Sequence, residues 1–236
     1  MIKNLDKLLL DNPYPGRGIL IGRSGNGERS LVVYFIMGRS ENSRNRIFER
    51  TADGIRTTAC DAAKVKNPEL IIYHPVRMVD HQLIVTNGDQ TDTIANHLKD
   101  GYSFHAALHT REFEPDAPNY TPRISAIVQP CGSYVMSILK TLAGNPNHCQ
   151  RSFFEYSSAI AGIGHFISTY DSDGDPLPSF SGEPIAVHID DADGSEAFVR
   201  KIWNSLDDDN KVSLYARETN YSTGKVSDMV VNKYSL

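Results

Sequence analysis

Residues 18–37 read GILIGRSGNGERSLVVYFIM. Ile19–Ile21 and Leu31–Met37 are apolar and partly β-branched, as strands are. Ser24-Gly25-Asn26-Gly27 between them is a strong turn signal, so the stretch predicts a β-hairpin. Further strands are predicted at Ile55–Ala59, Leu70–Val76 and Gln82–Thr86, with Met78–His81 turning the last two into a second hairpin. Helical patterns follow at Thr91–Lys99 and Ser103–Thr110, where Ile94, Leu98, Phe104 and Leu108 are core candidates and Ser103 an N-cap. A proline-rich connector, Glu112–Pro122, leads to strands at Arg123–Val128, Tyr134–Leu139, Ser152–Tyr156 and Gly164–Tyr170. After an Asp/Gly/Pro-rich loop, Asp171–Pro184, the clearest helix is Ser195–Leu206. It places Phe198, Val199, Ile202, Trp203 and Leu206 on one face. A last hairpin spans Val212–Arg217 and Lys225–Val231. Strands in hairpin runs, then helices, then strands, are α+β grammar with mainly antiparallel sheet. The expected organisation is one domain, 1–236, with residues 1–13 as an N-terminal helical extension.

The chain has 236 residues, 40% hydrophobic and 22% charged, with 24 Lys+Arg against 29 Asp+Glu for a net charge of −5. No apolar run approaches the ~20 residues a membrane helix requires. The N-terminus does not read as a signal peptide, and the three scattered cysteines form no CxxC pair. A reducing, cytoplasmic setting is expected, with no membrane or nucleic-acid partner. The strand pattern leaves a homo-oligomer open. The charge is uneven. Residues 1–50 carry nine basic and five acidic side chains; residues 151–200 carry two and nine. The acidic block reads as a solvated face, and the basic block suggests a local anionic partner.

Three segments could carry chemistry. RSENSRNR (39–46) gathers three guanidiniums, two hydroxyls and two amides after an apolar strand. Such groups suit a phosphate, although a solvated polar loop has the same composition. It lacks the P-loop pattern. Residues 85–93, VTNGDQTDT, run from strand through a glycine turn into a helix. They form either a ligand-lining helix start or a plain turn with a cap. Residues 111–123 hold Glu114, Asp116, Asn119 and Arg123 among three prolines, which restrict the loop. Asp171–Asp175 resembles the start of a calcium loop, but Pro176 stands where glycine belongs and Gly182 where glutamate belongs. His148, Cys149 and His165 have no metal-ligand spacing, so no metal is expected.

Taken in order, YPGR (14–17), RSENSRNR (39–46), IIYHPVR (71–77), TNGDQTDTI (86–94) and NYTPRISAI (119–127) resemble the archaeal-type inosine monophosphate (IMP) cyclohydrolases. The resemblance implies a four-layer αββα sandwich like that of N-terminal-nucleophile hydrolases. Ile2 after Met1 leaves out the self-processing nucleophile of that class. The implied activity belongs to purine biosynthesis, in the hydrolase class acting on cyclic amidines. 5-Formamidoimidazole-4-carboxamide ribonucleotide (FAICAR) loses water to give IMP, with no cofactor. The reacting groups share one ring, so much of the entropic barrier is already met.

On this reading Arg39, Ser40 and Arg46, with Arg17, hold the phosphate, and Asn45 also binds the substrate. Arg44 approaches the carboxamide or formyl oxygen. Asn87, Gly88, Asp89, Thr91 and Asp92 line the ribose or base, with Asn119 and Arg123 also at the substrate. Tyr73 is the candidate acid and Glu114 the base, with Asp116 as the alternative. Competing readings are a formyltransferase or amidohydrolase acting on a purine ribonucleotide, a non-catalytic nucleotide-binding regulator, and a calcium module.

Overall fold

The hairpin at 18–37 is the centre of the protein. In the computed structural model, which describes residues 1–65 and 71–234, β1 (Arg17–Arg23) pairs antiparallel with β2 (Arg29–Met37). Alternate side chains leave the two strands on opposite faces. Ile19, Ile21, Val32, Tyr34 and Ile36 enter a core between two sheets. Leu20, Leu31, Val33, Phe35 and Met37 enter a second core on the outer side. Burial on both faces is why the run is almost continuously apolar. Each fully buried aliphatic side chain contributes roughly 1.5–3 kcal/mol.

The remaining strands are β3 (Ile47–Thr51), β4 (Gly54–Thr58), β5 (Val76–Val79), β6 (Gln82–Thr86), β7 (Arg123–Val128), β8 (Tyr134–Leu142) and β9 (Asn145–Tyr156). They are followed by β10 (Ile163–Ser168), β11 (Ile185–His188), β12 (Lys211–Asn220) and β13 (Val226–Asn232). One sheet runs β11-β10-β1-β2-β12-β13, and the other runs β3 to β9 in chain order. The strand pairings within both sheets are antiparallel.

Helices α1 (Leu5–Leu10) and α5 (Ser195–Ser205) bring Leu5, Leu9, Phe198, Val199 and Ile202 onto the outer face of the six-stranded sheet. The predicted face of α5 is therefore the buried one, with Trp203 packed at its margin. Helices α3 (Gln90–Lys99) and α4 (Phe104–His109) bring Ile94, Ala95, Phe104 and Leu108 onto Ile84, Ile127 and Leu139 of the other sheet. Ser103 caps α4 as predicted, its Oγ accepting the Ala106 N–H at 3.1 Å.

The structure corrects several local readings. The strand predicted over Leu70–Val76 starts only at Val76; Leu70 lies outside the described residues, and residues 72–75 are loop. The one-turn helix α2 (Glu41–Arg44) falls where a loop is expected, and strands β3 and β11 lie in stretches whose sequence predicts no element. Strand β9 is longer than Ser152–Tyr156. The helix in the N-terminal extension, 1–13, is α1, and it packs onto the body of the fold: Leu5 and Leu9 are 2% exposed, and Lys3 bridges Val187. The acidic block is not merely a solvated face. Asp173 pairs with Arg39 at 2.7 Å and Asp191 with Arg29 at 3.3 Å, so the acidic stretch folds onto the basic one.

Candidate functional site

Arg17 opens β1 and is reached through Gly16, whose φ of +76° favours glycine. A Cβ there would sit 2.3 Å from Thr169 Oγ1 and 2.6 Å from the Tyr170 ring. The Arg17 N–H donates to Thr169 Oγ1 (3.1 Å), and the Thr169 N–H to Arg17 O (2.9 Å). The side chain is 8% exposed, and its Nε has no hydrogen-bond partner.

Arg46 lies between α2 and β3 and is fully buried. Its Nε donates to Ser43 O at 2.8 Å, while Nη1 and Nη2 have no partner. Burial, then the charge of nearby Arg17, pulls its pKa below the ordinary value. Two buried like charges with three unpartnered nitrogens are unfavourable unless an anion completes them. Tyr73 and Tyr34 stand close enough to Arg46 to shift it. The two tyrosine hydroxyls lie 3.0 Å apart. Thr57 fixes the backbone of Tyr73: its N–H donates to Tyr73 O (2.9 Å), and its Oγ1 accepts the Tyr73 N–H (2.8 Å).

Glu114 faces Arg17 from the proline-rich loop. The Glu114 N–H donates to Thr121 O at 2.9 Å. Burial pushes its carboxyl up to about 7, against the pull of Arg17 and Arg123, with Asp116 adding to the rise. Burial alone would lower the Arg17 pKa, but the Glu114 charge raises it well above the ordinary value. Asp116, the alternative base, accepts from both the N–H and the hydroxyl of Thr121, whose Oγ1 lies 2.7 Å from the Tyr170 hydroxyl. It braces the loop.

Beyond Glu114, Arg123 Nη1 donates to Gln90 Oε1 (2.7 Å) and pairs with Asp89 (2.7 Å), which Arg111 also holds. Burial opposes the Asp89 charge, but Arg123 and Arg111 keep the carboxyl below its usual range. Gly88 leaves room for this junction: a Cβ would lie 2.6 Å from Arg123 Nη1 and from Gln90 Oε1, and 3.4 Å from Glu114 Oε1.

The predicted residues thus divide. Arg17, Arg46, Tyr73, Glu114 and Arg123 form one buried cluster, with Gly88 and Asp89 beside Arg123. Arg44 does not join it. Its Nε donates to Gly38 O (2.8 Å) and its Nη2 to Asn210 Oδ1 (3.0 Å), and it lines a separate cavity of about 650 Å³ with Cys60 and Lys64. Asn45 clamps Asp61 through both amide atoms. Ser40 caps α2. Arg39 pairs with Asp173 at the rim. The Asn87 amide bonds to Pro122 O, Gln90 and the Ile124 N–H, and Thr91 Oγ1 to Thr86 and Gly88 O, so both hold the turn together. Asp92 pairs with Arg77, and Asn119 Oδ1 accepts the Leu177 N–H.

Sequence reasoning missed Tyr34 and Gln90. Tyr34 carried one signal, a hydroxyl amid the apolar run of β2. Among the described residues no group of three or more His, Cys, Asp or Glu side chains could hold a metal ion. Among them, too, no helix is long and apolar enough to cross a membrane.

These features define an α+β protein of two stacked antiparallel sheets with a closed, cationic interior cluster at one end. The family described as "IMP cyclohydrolase-like protein" matches residues 14–224, and the chain belongs to that family. It is 36% identical over 118 residues to an IMP cyclohydrolase of Methanopyrus kandleri, covering 48% of this chain and 58% of that one. It is 28% identical over 126 residues to one of Methanococcus aeolicus, covering 52% and 61%. For that of Methanosphaera stadtmanae it is 29% over 130 residues, covering 53% and 63%. The similarity spans about three-fifths of the length of these relatives.

Proposed function

We propose that this protein closes the second purine ring, converting FAICAR to IMP with loss of water. Family membership supports the reaction class. The observation that carries the reading is Glu114, a buried carboxyl raised to about 7, beside Arg17 and Arg46, which hold three buried nitrogens without hydrogen-bond partners. A group titrating near neutrality can both take and return a proton.

The substrate's phosphate is close to a dianion at neutral pH. Arg46 and Arg17 match that charge and supply three nitrogens without partners. The ring then lies toward Glu114 and Arg123. The carboxamide nitrogen attacks the formyl carbon while the Glu114 carboxylate takes its proton. Tyr73 gives its proton to the formyl oxygen, and Tyr34 supports it by donating to the Tyr73 oxygen. Burial, then Tyr73, raises the Tyr34 pKa, so Tyr34 stays protonated. In the second half the C–O bond breaks. The hydroxyl leaves with the Glu114 proton as water, and Tyr73 recovers the proton of the former formamide nitrogen. Atoms and charges balance without a cofactor.

We further infer that the layering, helices outside two sheets, is the architecture of N-terminal-nucleophile hydrolases, and that residues 1–236 act as one cytoplasmic unit. The test is direct. Purified protein incubated with FAICAR and no folate is expected to form IMP as FAICAR disappears; binding without turnover would favour a nucleotide-binding regulator.

A further inference from the structure

The cluster is shut. Arg46, Arg17, Tyr73 and Glu114 are at most 8% exposed, so a ribonucleotide reaches them only if something at the rim gives way.

The loop from Asp171 to Phe180 spans that rim. On the Glu114 side, Asn119 Oδ1 accepts the Leu177 N–H at 3.1 Å. On the Arg46 side, Arg39 Nη1 donates to Asp173 Oδ1 (2.7 Å) and Gly174 O (2.9 Å). The base of the loop is anchored, since Leu177 and Phe180 are buried and the Phe180 N–H donates to Thr169 O at 3.0 Å. The tip around Asp173 is exposed. Its hold on Arg39 is an ion pair whose side chains are 37% and 46% exposed, and such pairs are weak. Arg39 is also pre-placed. Its guanidinium lies 5.0 Å over the Tyr14 ring, and Tyr14 stacks on Tyr170, a wall of the cluster.

We infer that Arg39 is the rim-side contact to the phosphate that Arg46 and Arg17 hold from inside, since Tyr14, under Arg39, also neighbours both of them, and that the Asp173 carboxylate occupies Arg39 until that phosphate displaces it. The inference rests on the ring-closure reading. A phosphate dianion outcompetes one exposed carboxylate, and the exchange frees the loop tip above the site. It gives the acidic segment a role, as the resident anion of a basic residue more than a hundred positions earlier.

The test is titration of IMP and of inosine into the wild type, Asp173→Asn, Arg39→Ala and the double variant, alongside FAICAR turnover. Asp173→Asn is expected to bind IMP about threefold more tightly, because it removes a weak competing pair. Arg39→Ala is expected to bind IMP about tenfold more weakly, through loss of one charge-assisted contact. The double variant should match Arg39→Ala, and inosine affinity should not move in any of them. Urea midpoints report folding, and amide exchange at residues 172–175 should rise in Asp173→Asn. Turnover by the wild type with IMP affinity unmoved in both single variants, or equal shifts for inosine, would overturn the inference and leave the ring-closure reading standing. A wild type that neither turns over FAICAR nor binds IMP would overturn both.

Discussion

The Tyr73 hydroxyl lies 3.0 Å from the Tyr34 hydroxyl, and Tyr34 is fully buried on β2, the strand at the centre of the fold. The proposed proton donor is thus held by the core. Tyr73→Phe is expected to lower kcat about 100-fold with little change in KM. Tyr34→Phe keeps the proton on Tyr73 and removes only its support, so a loss of about tenfold is expected. Steady-state kinetics with FAICAR read both. Equal, full rates would remove Tyr73 from the chemistry.

Arg46 sets function against stability. Its two Nη atoms are buried without partners. Arg46→Met, of similar length and without charge, is expected to raise the unfolding free energy by about 1 kcal/mol or more. The same variant should raise KM for FAICAR much more than it lowers kcat. Urea denaturation and kinetics on one preparation check the pair of outcomes.

Glu114 makes stability depend on pH. Its folded pKa, about 7, lies above the ordinary 4.5, so folding favours the protonated form. Its contribution is complete below pH 4.5 and is lost as pH rises through about 7. Across that window the wild type should lose about 3 kcal/mol relative to Glu114→Gln, at about 1.4 kcal/mol per unit. Unfolding curves of the two proteins at stepped pH measure this difference.

Gly88 is a packing requirement of the site. Gly88→Ala would place a methyl 2.6 Å from both Arg123 Nη1 and Gln90 Oε1. A destabilisation of about 1–3 kcal/mol is expected. Loss of turnover should exceed what the unfolded fraction explains, because Glu114 Oε1 is the third neighbour, at 3.4 Å.

The N-terminal helix tests the fold independently of the chemistry. Leu9 is 2% exposed against α5 and the six-stranded sheet. Leu9→Ala is expected to cost about 2–5 kcal/mol, a value that thermal or urea unfolding reports. An appended helix would cost far less.

What could be read from the sequence was local. The hairpin at 18–37, the buried face of α5 and the Ser103 cap follow from periodicity and turn chemistry within a few residues. The site was legible only in part. Three arginines in RSENSRNR are countable, but which one points inward depends on α2, a single turn stabilised by Ser40 and Ser43. That turn sends Arg46 inside and leaves Arg44 on Gly38 and Asn210. Ile71, Ile72 and Val76 around Tyr73 read as a strand. The partner that holds it in a loop, Thr57, is sixteen residues away. Arg39 looked like an open phosphate ligand because Asp173 meets it across 134 positions. Asn87 and Thr91 looked like ligand contacts, yet burial obliges their polar atoms to bond to the turn itself. Long-range pairing, not composition, decides which polar groups remain free.

Glu114, within the Arg17–Arg46 cluster, is the proposed carrier of the proton in ring closure. The most direct measurement is FAICAR conversion by the wild type and Glu114→Gln side by side, with IMP affinity titrated in both. The wild type is expected to form IMP without folate, and Glu114→Gln to do so about 100-fold or more slowly with IMP still bound. No IMP from the wild type, or an undiminished rate in Glu114→Gln, would contradict this role.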